Sequence, residues 1–125
     1  MDKTKILIKR FKLVKYDFMG YYLNKDDATY HHIIKKSDGG RRVLQNGAVL
    51  ISISHEYLHL IEYIDFEKYE IINNMFKIFH RKGNIDEFDY ILISKILSEF
   101  EKEHTDDKRS KGKKLIKDEF LRRDF

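Results

Sequence analysis

The spacing of apolar and polar positions divides the chain into an ambiguous opening, two strand-like runs and three amphipathic helices. Between Lys5 and Tyr16, Ile6 and Ile8 have the period of a strand, whereas Phe11 and Val14 have that of a helix, and the pattern decides for neither. Gly20, Asn24, Asp26 and Asp27 are turn formers that separate this opening from Thr29–Ile34. That run is β-branched and aromatic, which predicts a strand. Ser37, Asp38, Gly39 and Gly40 predict a reversal, Asn46 and Gly47 a second tight turn, and Ala48–Ile53 a short apolar strand. The two runs should pair as a hairpin.

The remainder reads as helix. Ser54 is a candidate N-cap for a helix from His55 to Ile64, its hydroxyl able to satisfy free amides of the first turn. Tyr57, Leu58, Leu60 and Ile61 would be its core contacts. Asp65 can cap a second helix, in which Phe66, Tyr69, Ile72, Met75, Phe76 and Phe79 recur at three- and four-residue spacing until Gly83 stops it. Asp86 opens a third, with Phe88, Ile91, Leu92, Ile96, Leu97 and Phe100 on its apolar side. After Lys102 the chain is polar through Gly112, and Leu115, Ile116, Phe120 and Leu121 fit a short basic amphipathic helix within Lys113–Phe125. The predicted fold is α+β, with one domain over residues 1–103 and a basic, helical or flexible tail over 104–125.

At 125 residues the chain has room for one core, which 42% hydrophobic residues, including 9 Phe and 8 Tyr, can fill. The absence of cysteine excludes a disulfide framework, a thiol nucleophile and Cys-ligated metal, so any metal site is built from His, carboxylate or amide groups. No apolar run is long enough for a signal peptide or a membrane span, which predicts a cytoplasmic protein with no membrane partner. The net charge of +4 is unevenly spread. Lys3 to Lys15 is basic with no acid, Lys35, Lys36, Arg41 and Arg42 surround Asp38, and Lys111, Lys113, Lys114 and Lys117 make the tail basic, whereas Glu56 to Glu101 is acidic on balance. Separated basic blocks suit a polyanion, since each neutralised phosphate releases a counterion; a solvated lysine-rich surface has the same composition.

Candidate chemistry concentrates in His31, His32, His55 and His59. On the predicted elements the first pair ends a strand, and the second stands at i and i+4 on one helix face, about 6 Å apart. Such a set can offer three imidazole nitrogens to a divalent cation and leave a position open.

At these residues the sequence resembles the HNH endonucleases, also called ββα-metal or His-Me finger nucleases. The likeness rests on Thr29-Tyr30-His31-His32-Ile33-Ile34, Gly39-Gly40, Asn46, and His55 with His59, about a quarter of the chain. It is closest to the colicin-type branch, with two adjacent His, a Gly-Gly, an Asn and two His four apart. The resemblance implies a ββα-metal core with additional packed helices and metal-dependent hydrolysis of phosphodiester bonds in nucleic acid, DNA being the expected substrate. It assigns His32 as the general base, His31, His55 and His59 as ligands of one divalent metal, and Asn46 as the brace that aims the base. The chemistry is coherent: phosphodiester hydrolysis needs an activated water and positive charge near the developing anionic oxygen. Lys35, Lys36, Arg41 and Arg42 are candidate nucleic-acid contacts, Arg41 and Arg42 fitting a solvated surface equally well. Many members carry Asp where this chain has His31, which suits magnesium; nitrogen in that place favours zinc, nickel or manganese, and magnesium, manganese, nickel and zinc all stay open. A homodimer would explain double-strand cleavage, and one site per chain is equally compatible with nicking.

Two rival readings remain. His55-Glu56-Tyr57-Leu58-His59 is a literal H-E-x-x-H, the zinc metalloprotease motif, with Glu56 as base. The metzincin version wants Gly at 62 and a ligand at 65, where the chain has Glu62 and Asp65, and it gives no job to His31, His32 or Asn46. On the nuclease reading Glu56 is an acid favoured by the helix N-terminus. The other rival is a nucleic-acid-binding or inhibitory protein that keeps the scaffold without turnover.

Overall fold

The computed structural model describes residues 2–104; the reading of a basic helical tail beyond them lies outside the described residues. Within that range α1 (Lys3–Arg10), β1 (Ala28–His32), β2 (Gly47–Ile51), α2 (Ser52–Ile64), α3 (Phe66–Lys82) and α4 (Glu87–Glu103) follow in order. The strands are antiparallel, with Ala28 opposite Ile51 and His32 opposite Gly47, so the fold is α+β. No helix among the described residues is long and apolar enough to cross a membrane.

The ambiguous opening is a helix. Asp2 accepts the Thr4 N–H at 3.0 Å and caps it, while Lys9 and Arg10 in its last turn suit the negative end of the dipole. Beyond it, Phe11, Leu13, Phe18, Met19 and Tyr21 are buried and join Leu7 in the single core. Asp17 lies within this segment and is fully buried. Its carboxylate accepts the N–H groups of Met19, Tyr21 and Ile51 at 2.8, 3.0 and 3.0 Å and the Ser54 hydroxyl at 2.5 Å. Burial pushes its carboxyl up to about 6, against the lowering by those bonds.

That carboxylate explains one departure from the sequence reading. Ser54 is no N-cap: α2 begins at Ser52, and Ser54 points inward to Asp17. The free amide at the helix start is met from elsewhere, by Asp27, which accepts the Ser52 N–H at 3.2 Å and its hydroxyl at 2.5 Å. Glu56 consequently falls beyond the first turn and loses the dipole support expected of it. The strands also end sooner than predicted: β2 gives way to α2 at Ser52, and Asn46 draws Ile33 and Ile34 out of the β1 ladder. Its carbonyl accepts the Ile33 N–H at 2.9 Å and its side chain the Ile34 N–H at 2.7 Å.

Asp65 and Asp86 cap α3 and α4 as expected, the latter in a reciprocal box with Asp89, and Gly83 ends α3 at φ 77°. The faces are less well foreseen. Phe66 is 53% exposed, and on α4 Phe88, Ile91 and Leu92 are exposed while Tyr90, Ile93, Leu97 and Phe100 are buried. Apolar residues surround most of α4, so periodicity alone does not choose a side. Packing chooses the one on which Tyr90 meets Tyr16 at 5.2 Å and Phe100 meets Tyr57 at 5.9 Å between ring centres.

Candidate metal centre

Strand alternation puts Thr29 and His31 on the side of β1 that meets α2 and α3, and Tyr30 with His32 on the other. His31 is 3% exposed and lies edge-on to the rings of Tyr69 and Phe76 in α3, at 6.3 and 6.0 Å. Because α2 leaves β2 without an intervening residue, its first turns fold back against β1. The His31 ring then stands 5.3 Å from His55 and 6.0 Å from His59, and those two stack at 4.8 Å. One ligand nitrogen from each of the three lies within 4.8 Å of the others. The three sequence-predicted ligands are brought together.

Their neighbours determine which nitrogen each leaves bare. His31 Nε2 lies 2.9 Å from the Asn73 side-chain oxygen, an acceptor, so Nε2 carries the proton and Nδ1 keeps its lone pair. Thr29 gives its hydroxyl proton to the Leu50 carbonyl at 2.6 Å, so its oxygen accepts from His55 Nδ1 at 2.8 Å and leaves His55 Nε2 bare. The Glu62 carboxylate accepts from His59 Nδ1 at 3.2 Å with the same result. An imidazole held from behind by an acceptor is the usual arrangement of a metal-ligating His. Burial, with the charges of the neighbouring imidazoles, brings His31 down to about 3 against the opposing Asn73 bond, and burial with the His59 and His32 charges brings His55 down to about 4. Both are neutral at pH 7, the form that binds metal. Exposure rises from His31 through His55 to His59, which leaves the cluster open to solvent on one side. The donor set and its supports fit one divalent cation.

His32 is half-buried, edge-on to the Tyr30 ring at 4.9 Å, and close enough for its charge to bear on both His31 and His55. Asn46 touches only main chain: its side chain receives the Ile34 N–H and donates to the Ile34 and Arg41 carbonyls, each at 3.0 Å. It thus clips the loop two residues beyond His32. Gly40 belongs to the same close approach, since a Cβ there would run into the Ile34 carbonyl. Of the predicted basic contacts, Lys36 and Arg41 are exposed. Arg42 lies over the Tyr30 ring at 4.7 Å with an ion pair to Asp2 at 3.7 Å. Lys35 is drawn to Glu62 and lies 5.8 Å from the Tyr69 ring centre. Burial raises the Glu62 carboxyl, but the Lys35 and His59 bonds outweigh it and hold the group below its ordinary range.

Glu56 is exposed, and the third nitrogen beside His55 and His59 comes from β1 rather than from residues downstream. Glu62 holds His59, and Asp65 caps α3. A second group, Asp65, Glu103 and His104, also has ligand atoms within 4.8 Å of one another. Lys68 forms an ion pair with Glu103 at 3.9 Å, and His104 Nε2 lies 3.7 Å from the Asp65 carboxylate. Asn73, Thr29 and Glu62 were not singled out as supports by the sequence. Thr29 lies within the motif window, whereas Asn73 is 42 residues from His31 and carries no local signal.

Fold and site together define an α+β domain with a three-imidazole candidate metal centre. No protein-family model, no curated protein and no solved structure matches the chain.

Proposed function

We propose that the protein is a metal-dependent endonuclease of the HNH, or His-Me finger, type, with β1, β2 and α2 as its ββα-metal core and DNA as its expected substrate. The observation that carries this reading is the meeting of His31 from the strand with His55 and His59 from the helix, each held from behind by an acceptor, beside a fourth imidazole outside the set. His31, His55 and His59 would hold the cation, for which zinc, nickel or manganese suits nitrogen donors better than magnesium. When bound, such an ion supplies positive charge opposite the developing anionic oxygen of a phosphodiester. His32 takes the proton of the attacking water, a role that its half-exposed place outside the ligand set permits. Asn46 fixes the main chain that follows His32 and acts as a positioning residue. Lys36, Arg41 and Arg42 hold backbone phosphates, and Lys35 joins them only by leaving Glu62. The protease reading loses support because Glu62 and Asp65 are already engaged on other tasks.

Incubation of supercoiled plasmid with the full chain, stripped of metal and reloaded in turn with zinc, nickel, manganese or magnesium, tests the proposal. Wild type is expected to nick with at least one of these and to stop in EDTA. His32→Ala should lose about 100-fold or more in rate while binding metal normally, and Glu56→Ala should cut at close to the wild-type rate. Cleavage indifferent to His32→Ala, or peptide hydrolysis abolished by Glu56→Ala, would overturn it. Salt-sensitive DNA binding without nicking under any metal would leave a binding protein in its place.

A further inference from the structure

Beside the candidate metal centre, between the segment leaving β1 and the first turns of α3, lies a cleft of about 170 Å³ that includes Lys35, Phe66, Tyr69, Asn73, Asn74 and Lys77 in its lining. One of its walls is shared with the centre. Asn73 lines the cleft and holds His31, and the Tyr69 ring is 6.3 Å from the His31 ring. At the mouth, Phe66 is 53% exposed and stacks on Tyr69 at 5.7 Å with 20° between the planes. Core packing gives no reason for a large apolar ring at that place. A flat, solvent-facing aromatic is what a nucleobase stacks upon.

The volume and the polar groups agree with such an occupant. A cavity of about 150 Å³ admits a benzene ring, so this cleft has room for one planar ring system. Asp38 and Glu70 are also in the lining, which makes the interior unfavourable to a phosphate but suited to the N–H donors on the edge of a neutral base. Asn74 is exposed there and can both donate and accept. Lys77 has no ion pair among the described residues and is available for a phosphate beside the base, whereas Lys35 on the β1 side is paired with Glu62. A base paired within a duplex presents neither its face nor its pairing edge to such a cleft.

We propose that this cleft binds one unpaired nucleobase next to the scissile phosphate, so that the protein prefers single-stranded or locally unpaired nucleic acid. The position relative to the scissile bond rests on the nuclease reading; the binding of the base does not.

The experiment uses the full chain in EDTA, where no cleavage occurs, and an oligonucleotide carrying a single 2-aminopurine, whose fluorescence falls on stacking. Affinity is read by anisotropy for the single strand and for its duplex. The expected results are tighter binding of the single strand, quenching on binding, about 5- to 100-fold weaker binding by Phe66→Ala, and recovery in Phe66→Trp. Equal affinity for duplex and single strand, or a Phe66→Ala variant with unchanged affinity and quenching, overturns the inference. Should plasmid never be nicked while single-strand binding still depends on Phe66, the base site stands and the nuclease reading falls. Should plasmid be nicked through His32 while Phe66→Ala binds the single strand as wild type does, the base site falls and the nuclease reading stands.

Discussion

Three side-chain oxygens that accept from the imidazoles decide the chemistry of the candidate centre. Asn73, Thr29 and Glu62 each accept the N–H of one imidazole and so leave the opposite nitrogen bare. If this is what makes the cluster a ligand set, Asn73→Ala should weaken binding of zinc or nickel by about 10- to 100-fold, and Asn73→Asp, which still accepts, should recover most of it. Calorimetric titration of folded variants, with stability measured separately, checks this; wild-type affinity in Asn73→Ala would count against it. The candidate ligands were legible in the sequence, because His31, His55 and His59 fall in one window with spacing that carries meaning. Their supports were not. An asparagine in the middle of a helix has no distinctive pattern, and only the packing of α3 on β1 shows that Asn73 faces a histidine.

The elements divide in the same way between what is local and what is tertiary. Caps were readable: Asp65 and Asp86 satisfy amides within their own first turns, and Gly83 supplies a left-handed stop. Ser54 misled because it is a good N-cap by type, yet its hydroxyl serves Asp17, a residue far away in the chain. Asp17 joins the segment after α1 to the end of β2 and the start of α2, which positions the His55–His59 face. Its folded-state value of about 6 exceeds the roughly 3.9 of an unfolded aspartate, so the folded chain binds the proton more tightly. The stability from that protonation is fully present below pH of about 4 and is lost as pH rises through 6, a change of about 3 kcal/mol. Urea unfolding between pH 4 and 7 should show this loss as the difference between wild type and Asp17→Asn, over the opposite slope that the lowered His31 and His55 values give both proteins. Parallel curves for the two proteins would contradict the assignment. Asp17→Asn should also be less stable at pH 7, since one half of its amide faces donors that the carboxylate accepts.

In the molecule as a whole, a single core brings together a strand, the helix that follows its partner strand and a third element from further along the chain. β1 supplies His31, α2 supplies His55 and His59, and α3 closes the cluster from behind with Asn73, Tyr69 and Phe76. The sequence pointed to the first two and to the α+β class; it did not show that the opening segment would be helical or that α3 would form the rear wall. The nuclease proposal and the base-binding cleft both depend on how that meeting point is used. Calorimetric titration of the metal-stripped full chain with zinc or nickel tests it most directly. One ion per chain is expected for wild type, with affinity at least tenfold lower in His31→Ala. A His31→Ala variant that binds as wild type does, or a wild type that takes up neither ion, would contradict the account.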